Sequence, residues 1–420
     1  MTDVAATQDI EVDDHESAID KDTQLRYRIF KKNSPYLYDY LSTNSLLWPS
    51  LTVQFFPDLE QETNGKSPQL AFQRLLVGTF TLGQAVDNMS IHQMPYYRNL
   101  NKCINMDQWN YNAEKEEFEL STVLKTKLRV VQTINHAGDV NKLRYMPQNP
   151  DIIASSNNVG ALLVYNRTKH LNIKKLMEEN DINDPQLRLE DQNLDVTQVA
   201  DIFAFDWNKQ KEGVIVSGSM SGSINVYDIQ SAFLTNTGNI VNHYWSYKST
   251  CGVNDLEWVP GHDSVFVSAE DDGSVCVYDI RASVQKVLAY KSLFPVNSVS
   301  VNPGNAFCVA TGHSNGGLGI LDIRNLDGSV FDCVPHLDSV TQVKWHPKFN
   351  GVVGTSSADR LVKLHDMSSD NKLLFDHQGH MLGVNDFDWS LHEDWMIASV
   401  ADDNSLHVWK PSLHLLTQFK

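Results

Sequence analysis

The chain has 420 residues, 41% of them apolar and 10% aromatic, enough to bury one large core or several smaller ones. A formal net charge of −18 disfavours direct binding to a nucleic-acid backbone and favours basic partners. Five cysteines (Cys103, Cys251, Cys276, Cys308, Cys333) with no CxxC pair speak against a disulfide framework or a zinc site; with no signal-peptide pattern and no membrane-length apolar run, a cytosolic or nuclear chain is expected.

Residues 1–22 hold eight Asp/Glu and one Lys without apolar periodicity, which predicts a disordered acidic tail. Residues 23–44 then read as a helical segment. Leu25, Ile29, Asn33, Leu37 and Leu41 follow at steps of four, which predicts one face to pack on the body of the protein. Ser34-Pro35 marks either a kink or a fresh helix start, with Ser34 as cap. From residue 45 to 412 the pattern is β-like, and 413–420 form a short C-terminal segment.

The β region repeats itself. Units beginning at Gly252, Pro295, Ser339 and Gly383 each read as an alternating strand, a polar turn, a small-residue strand, a tight turn and a third strand. Their end positions, Asp279, Asp322, Asp366 and Lys410, are 43, 44 and 44 residues apart. Two earlier units, from Asp139 and Asp201, fit the same template, and a more divergent one starts at Ser50. Asp272-Gly273, Ser221-Gly222 and Asn315-Gly316 supply hairpin turns before the third strands. A period of 40–45 residues with this strand pattern is the signature of WD40 repeats, so the expected fold is all-β: a seven-bladed propeller with an N-terminal α-helix packed outside the ring. The last unit has only three strands, and "SLLW", Ser45–Trp48, is expected to supply its fourth.

No catalytic set stands out: the acidic residues in "GVNDLEW" and "GVNDFDW" share a repeat position, and "GHSNGGLG" is a hairpin and not a phosphate cradle. The fifteen histidines show no metal-ligand spacing, and His136, His336 and His380 hold the repeat position whose ring bonds other strands. No cofactor, metal or enzymatic activity is therefore expected. The useful surface is one for binding. Loops before each first strand gather at one mouth of the channel, where Val-Asn pairs recur at Asn141, Asn254, Asn297 and Asn385, with Asp139, Asp201 and Asp402 in the corresponding turns. Such a ring can hold Lys or Arg of an extended tail, or can merely satisfy turn backbones.

"RYRIFKKNSPYLYDYLSTNSLLWPSLTVQFFPD", "RYMPQNPDIIA" at Arg144–Ala154, "RTKH" at Arg167–His170 and "HQGHMLGVNDFDW" at His377–Trp389 closely resemble the histone-binding WD40 proteins of the retinoblastoma-binding protein class. The resemblance spans about residues 22–412. Within the family, "YDYLSTNS", "QFFPDL" and "VADDNSLHVWKP" look like the fungal small subunit of chromatin assembly factor 1, with the WD40 subunit of the type B histone acetyltransferase as the neighbouring branch. The resemblance implies a non-catalytic protein of the nucleus, or of nucleus and cytoplasm, that binds histones H3 and H4 alongside the large and middle subunits of that factor. It acts as a histone chaperone in replication and repair, without direct contact to nucleic acid or membrane. It also implies two sites. A top face similar to that used for the H3 tail falls on Asp139, Asp201, Phe203, Asn254, Asn297 and Asp402. Here Asn254 and Ser339 replace usual acidic residues, and Thr341 replaces a usual aromatic. A side groove for the first helix of H4 falls on Lys32, Asn33, Tyr36, Leu37, Tyr40 and Leu41, then Phe375 and Leu415. Asp370 and Asp376 stand in for the carboxylates of a longer, proline-containing family loop.

Overall fold

Each repeat unit folds into one blade, and seven blades of four or five strands make the ring of a β-propeller. This computed structural model describes residues 21–61, 69–98, 109–112, 117–120, 127–170, 181–190, 200–230, 232, 239–282, 286–368 and 372–416. The expected acidic tail, apart from Lys21 and Asp22, lies outside them, as do Cys103 and Asp370. Cys251, Cys276, Cys308 and Cys333 are free thiols. Among the described residues, no helix is long and apolar enough to cross a membrane.

The repeated residues each have a local task. The aspartate that closes a unit ends the third strand, as in Ser274–Asp279, Leu318–Asp322 and Val362–Asp366. Its side chain accepts the backbone N–H two residues on, at 2.9 Å from Arg281, 3.0 Å from Arg324 and 2.9 Å from Ser368. That Asx turn directs the chain away to the outer strand. The tryptophan ending the innermost strand reaches back to the preceding blade: Nε1 of Trp207, Trp258, Trp345 and Trp389 donates to the carbonyl of Arg144, Asp206, Ser300 and Lys344. Small residues in the second strand have a steric reason. A Cβ on Gly78, Gly218 or Gly312 would approach Val140, Val253 or Val340 of the next blade to 2.5–2.6 Å.

The innermost strands are joined by side chains and not by a backbone ladder. Asp386 and Asp388 of the last blade accept N–H of Val53 (3.1 Å) and Phe55 (2.8 Å) in the first. Asp255 and Glu257 do the same for Val299 and Val301, Ser298 for Val343, and Gln54 for Tyr145. Four cations neutralise these carboxylates: Lys142 on Asp255 (2.8 Å), Arg144 on Asp386 (3.1 Å), Lys344 on Asp386 (2.9 Å) and Lys209 on Glu257 (3.3 Å). Burial alone would raise the Asp386 carboxyl, but Lys344 and Arg144 outweigh it and hold it below the usual range. At Asp206 burial wins against the pull of Lys209, and the carboxyl is pushed up to about 6.

Ring closure differs from the sequence expectation. The fourth strand of the last blade is Tyr38–Ser45, which pairs antiparallel with Ser405–Pro411. It is not Ser45–Trp48; beyond Ser45 the chain turns, with Leu46 N–H on the Asn404 carbonyl. The helix, α1, is Lys21–Leu37, so Tyr40 and Leu41, expected on it, are strand residues. A bulge at Asp39 shifts the register between Tyr38 and Tyr40 and puts these two tyrosines on opposite faces of the blade. Tyr38 joins the core shared with the sixth blade, and Tyr40 the core shared with the first. The helix runs through Pro35 without a fresh start: Ser34 Oγ donates at 2.9 Å to the Lys31 carbonyl, the acceptor that Pro35 leaves without its helical donor. A two-stranded hairpin, Trp109–Asn112 with Glu117–Leu120, lies outside the ring beside α1.

Candidate functional site

Two surfaces bring the expected residues together in part. The first is the outer flank where α1 crosses the sixth and seventh blades. Phe30 is the buried anchor of α1, 5% exposed, with Tyr27 and Leu37 packed beside it. Its ring meets Tyr38 at 5.8 Å and His377 at 5.5 Å, both edge-on. At the helix start, Arg26 Nη2 donates to the His380 carbonyl (3.2 Å), and Thr23 is hydrogen-bonded to Arg360. At its end the Leu37 carbonyl accepts Ser412 N–H, and Asp39 accepts Ser412 Oγ (2.9 Å) and Leu413 N–H (3.0 Å). These bonds fasten the C-terminal turn to the end of α1, with Leu416 buried in the same core.

With α1 held this way, the steps-of-four face points outward. Leu25 is 57% exposed and Ile29 49%, with Asn33 and Tyr36 exposed along the same side. The expectation that this face packs on the last blade is therefore corrected: Phe30, out of step with that series, does the packing. Lys32 is exposed as well. Leu373 from the outer strand of the sixth blade, and Leu413 and Leu415 from the C-terminal turn, are exposed apolar residues flanking the helix. Other expected groove residues are part of the core. Tyr40 is buried, with its hydroxyl on the Pro95 carbonyl (3.1 Å). Phe375 is buried and stacks on Trp409 at 5.7 Å. Leu41 packs against the same core cluster. Asp376 is half-buried and accepts Gln378 Nε2 at 2.7 Å.

The second surface is the mouth of the channel, where a cavity of about 340 Å³ is lined by Phe203, Asn254 and Asn297 together with Leu51, Met220 and Asn385. Asp139, Asp201 and Asp402 are not among its lining residues. The recurrent asparagines act as straps between blades. The side-chain amide of Asn141, Asn254, Asn297 and Asn385 donates to the carbonyl of Ile202, Val296, Val340 and Ser50 in the next blade, at 2.9–3.3 Å. Thr341 Oγ1 does the same to the Val384 carbonyl (2.6 Å), which explains a hydroxyl at that repeat position. These amide donors are committed to the scaffold, so a ligand meets chiefly acceptors here. Carboxylates gather at the rim of the first three blades. Burial, then the charge of Asp139, raises the Asp201 carboxyl. Asp87 is raised by burial against its bonds to Thr79 and Thr81, with Asp139 adding to the shift. A lysine or arginine placed there would relieve that repulsion. Sequence reading missed Asp87 because its unit is the most divergent of the seven.

The repeat-position histidines serve the scaffold. His336 bonds Asp359 (2.9 Å) and Thr355 (2.8 Å), and His380 bonds Ser405 (2.6 Å) and Ser399 (2.7 Å). His377, His380 and His407 bring ring nitrogens within 4.8 Å of one another, but both nitrogens of His377 and of His380 already have hydrogen-bond partners.

Comparison with known proteins agrees with this geometry. Residues 26–97, which cover most of α1, the closing strand and three strands of the first blade, match the H4-binding family described as histone-binding protein RBBP4 or its counterpart in the CAF1 complex. Residues 328–366 and 371–410 match the WD domain, G-beta repeat. The chain is 33% identical to "Histone-binding protein MSI1" of Saccharomyces cerevisiae over 423 residues, covering 95% of this chain and 96% of that one. It is 26% identical to "Histone acetyltransferase type B subunit 2" of Debaryomyces hansenii over 420 residues, covering 94% and 92%. The chain thus belongs to the RBBP4-type family of histone-binding WD-repeat proteins.

Proposed function

We propose that this protein is the non-catalytic histone H3–H4 binding subunit of a nucleosome assembly complex, a nuclear chaperone working with the large and middle subunits of chromatin assembly factor 1. The observation that carries the reading is the outward apolar face of α1. Leu25 and Ile29 stand at one helical step and are half exposed or more, beside exposed Leu373, Leu413 and Leu415. A helix in a groove uses such i, i+4 anchors, and the first helix of H4 is the occupant that the family suggests. The carboxylates Asp87, Asp139 and Asp201 at the channel rim provide the second contact, for basic residues of the H3 tail. A second reading, a histone-targeting subunit of a type B acetyltransferase, is supported by the relative of that name. Affinity purification of the tagged chain from nuclear extract separates the two. Recovery of assembly-factor subunits supports the first, and recovery of an acetyltransferase without them overturns it.

A further inference from the structure

We propose that His377 is a positioning residue for α1, and so sets the groove wall on which the functional reading above rests. His377 ends the outer strand of the sixth blade, Lys372–His377, and is fully buried. Its Nδ1 bonds the Tyr38 hydroxyl at 2.8 Å, and its Nε2 bonds Nδ1 of His407 at 3.0 Å. Tyr38 opens the closing strand directly after α1, and His407 belongs to the strand that the closing strand pairs with. One imidazole therefore links the sixth blade to both sides of the ring closure.

The ring is held in place from every side. It lies flat on Trp409, with centroids 4.5 Å apart and planes 6° apart. The edge-on contact with Phe30 at 5.5 Å makes it part of the seat for the anchor of α1. Gly379 keeps that seat open: a Cβ there would come within 2.8 Å of Phe30 Cζ and 2.9 Å of His377 Cε1 and Nε2. A neutral imidazole has one N–H and one acceptor nitrogen. The chain Tyr38–His377–His407 therefore holds one proton in each of its two bonds, and it runs in a single direction. Replacing His377 by an apolar ring breaks both bonds at once and leaves two buried polar groups facing it. The blade ladders do not pass through this ring, so the loss falls on the α1 seat.

Hydrogen exchange resolved by segment, on the full chain, tests this. His377→Phe keeps an aromatic ring but removes both bonds, Tyr38→Phe removes one, and His377→Gln retains a donor and an acceptor. We expect exchange of the α1 amides, residues 25–37, to rise about tenfold or more in His377→Phe, less in Tyr38→Phe, and to be largely restored in His377→Gln, with inner-strand amides unchanged. Unchanged α1 exchange in His377→Phe would overturn the proposal. So would a uniform rise across all blades, which would make His377 merely a core residue. Stoichiometric zinc retained by the wild type and lost in His377→Gln would overturn it too, because the cluster would then be a metal site. A wild-type chain that bound no H4 peptide would count against the groove and not against this positioning role, since exchange is read without histone.

Discussion

Truncating Leu25 and Ile29 together to alanine removes apolar surface that the folded chain leaves in solvent and that a docked helix would cover. Leu25 is 57% exposed and Ile29 49%. Full burial of either side chain contributes roughly 1.5–3 kcal/mol, so covering the exposed half contributes about 1.2 kcal/mol at each position. The double variant should lose about 2.4 kcal/mol of binding free energy, close to a 50-fold rise in Kd. Its unfolding midpoint should stay near that of the wild type, because surface changes of this kind lie within about 0.5 kcal/mol and alanine favours helix. The assay is a fluorescence titration of a labelled peptide of the first H4 helix, with urea denaturation alongside. An unchanged Kd with unchanged stability would refute the groove. A loss of binding matched by a loss of stability would mean that these residues hold α1 rather than face a partner. Leu37 and Leu41 are unsuitable for this test, since both pack against the core cluster and a charge there would disturb the fold.

Further outcomes follow from the scaffold. Asp386→Ala should cost about 3–5 kcal/mol, because it removes the acceptor for Val53 N–H and the partner of buried Arg144; a urea midpoint within error of the wild type would contradict the inter-blade role. Gly218→Ala should cost about 1–3 kcal/mol, since the new Cβ would meet Val253 Cγ1 at 2.6 Å, and thermal denaturation checks it. Burial holds the imidazoles of His92, His136 and His346 down at about 4. The unfolded chain titrates near 6.5 and takes up protons that the folded chain refuses, so stability is full above that pH and falls as the pH drops through it. At pH 5.5 each of the three removes about 1.4 kcal/mol; equal guanidinium midpoints at pH 7.5 and 5.5 would contradict this.

The propeller was legible because each unit repeats local solutions that leave a sequence trace. The closing aspartate makes an Asx turn, tryptophan reaches back one blade, and glycine leaves room for a neighbouring valine. Those residues recur at a fixed spacing, and the observed third strands end where the spacing placed them. The closing strand was misplaced because nothing in Tyr38–Ser45 repeats. A helix end followed by a bulge put Leu37 and Leu41 four apart, and that spacing mimics a continued helix. The same step of four was visible for Leu25 and Ile29, but sequence could not say whether the face was the inner or the outer one. The answer depends on Phe30 finding its seat on His377, Tyr38 and the sixth blade, contacts made across more than 340 residues of chain. For the same reason Tyr40 and Phe375 were expected in the groove and turn out to be core. The asparagine straps show a different limit. A polar residue in a loop looks available for a ligand until its partner carbonyl in the next blade is known.

The central claim is that H3–H4 docks on the outer flank of α1. A photo-crosslinking amino acid at Ile29 of the full chain, irradiated with H3–H4 and mapped by mass spectrometry, tests it most directly. The account predicts crosslinks to the first helix of H4, abolished by excess unlabelled H4 peptide. Absence of any histone adduct at Ile29, with adducts forming from a probe at Phe203 in the channel mouth, would contradict it.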